Sequence, residues 1–213
     1  MFKKILTASF VCISFLSAVP AMAEDLPAGI TAVTVPAPNK DHPLTELFSG
    51  WTMREKETQA LQVDDFDNPG MLWVEQGADL FNKVEGAAGK SCASCHTPDK
   101  LKGIGAAMPK WNDRIGKVVN IESQINTCRK DQMQAEELKF DSEPLKGLTT
   151  YVRHQSRGIP VKISQEGPMK DVIAKGKEIY YSRVGQLNMA CATCHEANAT
   201  KYLPLGPFES GPF

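Results

Sequence analysis

The chain has 213 residues, 24 lysines and arginines against 25 acids, and 42% hydrophobic residues, giving a formal charge of −1. A near-neutral chain without a basic block is no nucleic-acid binder. Its apolar content is ordinary for one or two small globular domains.

The first element in chain order is a leader. MFKKILTASFVCISFLSAVPAMA joins Lys3 and Lys4 to an apolar run from Ile5 to Val19 and a small-x-small ending, Ala21-Met22-Ala23. That pattern predicts a secretory signal peptide over residues 1–23, cut before Glu24. The run is shorter than the ~20 residues that a spanning helix needs, so no membrane span is expected in the mature chain. Taking 23 from 213 leaves 190 residues, with 22 basic against 25 acidic side chains and a formal charge of −3.

Residues 24–70 read as an N-terminal extension. Its first half is a Pro-rich, extended lead, in which His42 is expected at the surface. EKETQALQVDDFDNP then predicts one short helix and a turn.

Cysteine usage carries the chemistry. Cys12 leaves with the leader, and five remain: Cys92, Cys95, Cys128, Cys191 and Cys194. An odd number in an oxidising compartment cannot all pair as disulfides. CASCH at 92–96 and CATCH at 191–195 are both Cys-x-x-Cys-His, the pattern of covalent c-type haem attachment. Two covalently bound haem c groups follow, with Cys92, Cys95, Cys191 and Cys194 as thioether anchors and His96 and His195 as iron ligands. A structural zinc site also uses Cys and His, but two identical triplets far apart in an exported chain fit two haems better.

An internal repeat supports this reading. A shift of 99 residues lays Cys92, Cys95 and His96 on Cys191, Cys194 and His195. Upstream, the same shift lays Val74 on Ile173, Gly77 on Gly176, Leu80 on Ile179, Phe81 on Tyr180, and Gly86 on Gly185. These positions follow helical spacing. Glycine in mid-helix costs about 1 kcal/mol relative to alanine, so its recurrence predicts a second helix crossing closely there.

In the first copy, a turn-rich connection follows His96. NIESQINTCRKDQM then predicts a helix capped by Asn120, with Glu122 at the positive end of the helix dipole. Serine at 123 leaves the usual capping box incomplete. Ile121, Ile125 and Cys128 share the apolar, inward face. A last helix begins at Asp141 or Ser142, carries Pro144 in its first turn, buries Leu145, Leu148 and Val152, and ends at Gly158 and Pro160. It is the expected crossing partner for Gly77. GIPVKISQEGP joins the copies, with a boundary near Lys162.

The iron opposite His96 takes a sixth ligand or stays open. Cys128 and Met108 compete. Met108 precedes a proline, but its neighbours also suit an ordinary apolar loop. Cys128 faces inward, with Arg129 and Lys130 beside it to favour a thiolate; the alternatives are a buried thiol or a bridge to a partner chain. His154, at a helix C-terminus, suits the dipole there better than an iron. Arg183 and Lys201, beside the second motif, read as solvated charges.

NPGMLWVEQGADLF, GKSCASCH, INTCR, YVRHQSRGIP and GQLNMACATCH together resemble the dihaem SoxA subunits of bacterial SoxAX cytochromes, from about Ser49 to Ala197. The resemblance implies an all-α fold of two cytochrome c-like domains in tandem after a Pro-rich N-terminal extension. Domain 1 spans 71–162, and an incomplete domain 2 spans 163–213. It implies that Cys128 is the distal ligand of the first haem. It also implies a periplasmic L-cysteine S-thiosulfotransferase, with a SoxX-like small cytochrome and a SoxYZ-like sulfur carrier as partners and thiosulfate as substrate.

In that family the catalytic cysteine ligates the second haem from a C-terminal helix. Cys128 follows His96 by 32 residues, and the same step from His195 falls beyond Phe213. The chain is therefore expected to be a truncated product, or else a shortened paralogue with an open or partner-ligated second haem. Met189 lies too near the attachment loop to ligate. A non-catalytic dihaem electron carrier and a thiosulfate dehydrogenase are the competing functions.

Overall fold

The computed structural model describes residues 44–199 without interruption. It also describes Leu26, residues 32–37, Lys40, His42 and the backbone of Tyr202–Leu203 and Gly206–Pro207. The leader read at 1–23 and the site of Lys201 lie outside the described residues. Within them, no helix is long and apolar enough to cross a membrane.

The lead is extended, as its prolines dictate, and it also pairs. β1 (Thr34–Pro36) runs antiparallel to β2 (Glu46–Phe48), with Val35 opposite Leu47. His42 departs from the expected surface position: it is half-buried, and the Leu44 amide donates to its Nδ1 at 3.1 Å. A single turn at Gly50–Met53 buries Trp51, whose carbonyl accepts a hydrogen bond from Gln59 at 2.8 Å. Gln59 belongs to α1 (Lys56–Val63), the short helix expected there.

α2 (Gly70–Asn82) and α5 (Glu143–His154) cross to form the first core. The crossing is close because a glycine from each helix, Gly77 and Gly147, meets at the contact. A Cβ on Gly77 would lie 2.1 Å from the Gly147 carbonyl oxygen and 2.6 Å from Tyr151 Cβ. Beside the crossing, Phe81 and Tyr151 pack with ring centroids 5.1 Å apart. Leu145, Leu148 and Val152 form the expected buried stripe. Ser142 holds the cap position of α5, but its side chain makes no capping hydrogen bond.

Between these helices lie α3 (Pro98–Leu101), a single turn at Gly105–Ala107, and a hairpin of β3 (Lys110–Asn112) and β4 (Lys117–Val119). α4 (Ile121–Cys128) follows and runs on into a wider π-turn at Arg129–Met133. Its start corrects the sequence reading, because the capping box is complete with serine in place of glutamate. Asn120 Oδ1 accepts from the Ser123 amide at 2.9 Å, and Ser123 Oγ accepts from the Asn120 amide at 3.0 Å. A hydroxyl reaches that amide as well as a carboxylate does, so both helix-end donors are satisfied.

The second copy repeats the local design. α6 (Pro168–Tyr181) corresponds to α2, and α7 (Cys191–His195) carries the second motif. The loop before each motif closes on an isolated bridge, Glu85 with Lys90 and Val184 with Met189. Gly86 and Gly185 turn it at φ +73° and +72°, a conformation glycine adopts without strain. Ser94 Oγ accepts from the Ser91 amide at 3.0 Å, and Thr193 Oγ1 from the Ala190 amide at 3.1 Å. The surroundings differ. A Cβ on Gly176 would meet nothing within 4 Å, and Ile179, Val184 and Leu187 are exposed.

Candidate haem sites

Three segments converge on one apolar, half-open cleft of about 230 Å³. Cys92 and His96 enter from the attachment turn, Ile121, Ile125 and Cys128 from α4, and Leu148 and Val152 from α5. Cys95 is exposed, on the outer side of the turn. Burial pushes the Cys92 thiol up, opposed by the nearby Arg129 charge. A flat macrocycle that already gives iron four nitrogens needs two protein donors on opposite sides and apolar walls. His96 and Cys128 both line this apolar cleft.

Met108 also lines the cleft, yet it is buried in the core cluster with Phe81, Leu101 and Ile121. Cys128 is half-buried, and Gln124, one turn earlier, donates to its Sγ at 3.4 Å. Gln124 went unread in the sequence, although its i, i+4 spacing to Cys128 is the signal that finds it. Such a donor withdraws charge from a ligating sulfur. The cations expected to favour the thiolate are engaged elsewhere: Arg129 pairs with Glu85 at 2.5 Å and Lys130 with Glu137 at 3.5 Å. His154 ends α5 and is not among the residues lining the cleft.

Ser156 was also missed, because its partners are about 50 residues away. Its buried hydroxyl accepts from the Gly103 and Gly105 amides at 3.1 and 2.9 Å, fixing the loop under the cleft. Ser156→Ala orphans both amides. The expected loss is about 1–3 kcal/mol in denaturant unfolding of the haem-loaded protein, against no change for Thr150→Ala on the exposed side of α5.

At the second motif, Cys194 and His195 are half-buried and Cys191 is exposed. Tyr181 donates to Glu196, the residue after His195, at 2.8 Å. The Tyr180 hydroxyl is pushed up to about 12 by burial and then by the Glu196 charge, so it stays a neutral phenol. Arg183, read as a solvated charge, donates to the Asn188 carbonyl at 2.7 Å across the attachment loop. Met189 is tied through its backbone to Val184. Among the described residues, no three His, Cys, Asp or Glu side chains are grouped to hold a metal ion.

Two crossed helices joined at glycines, a Cys-x-x-Cys-His turn between them and an apolar cleft over its histidine define a cytochrome c domain, and such domains hold haem c covalently. The family description that matches residues 76–161 is the SoxA/TsdA cytochrome c domain. This chain therefore carries a SoxA/TsdA-type cytochrome c domain, and its wider likeness is to SoxA. It is 49% identical over 185 residues to the L-cysteine S-thiosulfotransferase subunit SoxA of Pseudaminobacter salicylatoxidans, covering 85% of this chain and 65% of the relative. The Rhodovulum sulfidophilum subunit of the same name is 38% identical, with 85% and 64% covered. The crystal structure of SoxXA from P. pantotrophus superposes with a TM-score of 0.75 at 38% identity, over 79% of this chain and 64% of that one. The chain thus spans just under two thirds of the length of these relatives.

Proposed function

We propose that this chain is the dihaem subunit of an L-cysteine S-thiosulfotransferase in the periplasm. It would work with a SoxX-like small cytochrome and join thiosulfate to a cysteine of a SoxYZ-like carrier. Its units are a cytochrome c domain at 71–162 and a second, partial one at 163–213. The observation that carries the reading is the convergence of Cys92, His96 and Cys128 on one apolar cleft. The likeness to subunits of that activity and the matched geometry of the two attachment loops support it.

Coupling thiosulfate to a thiol forms one S–S bond and releases the thiol proton and two electrons. Bound haem c supplies one-electron redox chemistry, so two attachment sites match a two-electron reaction. In the first, Cys92 and Cys95 would anchor the group, and His96 and Cys128 would be its iron ligands. An anionic sulfur donor favours ferric iron and a low potential, which suits a relay. The apolar walls from α4 and α5 exclude water. In the second, Cys191 and Cys194 would anchor it and His195 would ligate. No catalytic residue is assigned within the 213 residues, since the resemblance places the catalytic cysteine on a helix closing the second unit.

The test uses the haem-loaded protein co-purified with its small cytochrome partner, thiosulfate and a SoxYZ-like carrier. Two haems per chain and a thiosulfate adduct on the carrier cysteine, seen by mass spectrometry, are expected. One haem per chain overturns the dihaem reading. Tetrathionate without a carrier adduct overturns the transferase in favour of a thiosulfate dehydrogenase.

A further inference from the structure

We propose that Arg129 is a positioning residue for the first haem. Paired with Glu85, it clamps the wall that carries Cys128 onto the loop that leads to Cys92, and so keeps that iron closed to outside ligands. The proposal rests on the ligation by Cys128 read above.

Arg129 follows Cys128 directly and is the one charged residue buried among the described residues. A buried guanidinium persists only when paired and hydrogen-bonded. Its Nη1 donates to Glu85 Oε2 at 2.5 Å, and its Nε to the Glu136 carbonyl at 3.1 Å. Lys83 reaches the other Glu85 oxygen at 2.9 Å. The hydrogen bond from Arg129, then that from Lys83, holds the Glu85 carboxyl below the usual carboxylate range.

Glu85 opens the attachment loop, its amide donating to the Lys90 carbonyl at 3.0 Å. The loop lies directly on the turn after Cys128. Ala87 and Ala88 donate their amides to the Gln134 and Met133 carbonyls at 3.1 Å each. Gly86 sits so close that a Cβ there would meet the Met133 oxygen at 2.2 Å. One end of this contact leads to Cys92, and the other begins at Cys128. The ion pair therefore joins the two sides of the haem across 44 residues of chain.

The second copy shows that the acid is not needed to build the loop. The 99-residue shift lays Glu85 on Val184, which is 70% exposed, yet the bridge and the glycine turn there are the same. Glu85 is present for what docks on it. Among the described residues, the clamp therefore belongs to the first site alone.

The test uses the haem-loaded protein in complex with its small cytochrome partner. It reads the ferric paramagnetic spectrum of the first haem and the rate at which added imidazole displaces the sulfur ligand. Glu85→Gln is expected to speed displacement about tenfold, a coupling of ordinary size for a broken, partly buried pair. Arg129→Lys, which keeps the charge but loses the second donor, should fall between. Glu85→Gln combined with Arg129→Gln should add little to either alone. A lower unfolding midpoint with wild-type spectrum and displacement rate means mere structural support and overturns the proposal. Should Glu85→Gln fail to load haem, Glu85→Asp must give an intermediate rate, and a wild-type rate overturns it equally. A wild-type protein without a ferric thiolate signature sinks the Cys128 ligation itself, and the clamp with it.

Discussion

Gly77→Ala is expected to destabilise the haem-loaded protein by about 3 kcal/mol or more, at the upper end of what overpacking does. The added methyl would lie 2.1 Å from the Gly147 carbonyl oxygen, which is backbone and cannot swing aside. The only relief is to push α2 and α5 apart, which loosens the contact of Phe81 with Tyr151 and opens the back of the cleft. Natural domains are stable by about 5–15 kcal/mol, so this is a large fraction of the total. The same change at the repeat-related position should have the opposite sign. Gly176 has nothing within 4 Å of an added Cβ, so Gly176→Ala in this chain gains helix propensity of about 1 kcal/mol. Denaturant unfolding of the two variants side by side checks both. If Gly176→Ala is the more damaging of the pair, the exposed face of α6 is covered by packing that these residues do not show.

The second large effect concerns the iron. Cys128→Ala removes the anionic donor, and the first haem should lose its low-spin thiolate spectrum and bind added imidazole readily. Cys128→Met replaces the thiolate by a neutral thioether, and the reduction potential should rise by at least on the order of 100 mV. Axial ligands move haem potentials over about 0.8 V, so the shift lies well within reach. Met108→Leu keeps the apolar volume and should leave spectrum and potential unchanged. A normal thiolate spectrum in Cys128→Ala, or its loss in Met108→Leu, reverses the assignment of the two sulfurs.

Both expectations combine a signal along the chain with a placement in space. The two Cys-x-x-Cys-His motifs were legible in the sequence alone, because each is a local pattern that one short turn presents. So were the repeat, the helices α1, α2, α4, α5 and α6, and the inward face of Cys128, because a 3.6-residue period is written in neighbouring residues. The glycine at 77 even announced a crossing helix, since an unfavourable residue in mid-helix asks for a compensating contact.

Tertiary structure decided what depends on distant partners. Ser156 could not be read as the anchor of Gly103 and Gly105, because about 50 residues separate them. Arg129 and Lys130 looked like neighbours of the Cys128 sulfur by adjacency. A helix turns successive side chains about 100° apart, and both cations reach acids on other elements instead. The clamp between Glu85 and Arg129 arises only when the attachment loop lands on the turn after α4. The two copies share local sequence and local backbone, but among the described residues the crossing helix, the apolar cleft and the Arg129–Glu85 ion pair belong to the first. Local pattern specifies where a haem can be attached; the packing of remote segments specifies what faces its other side.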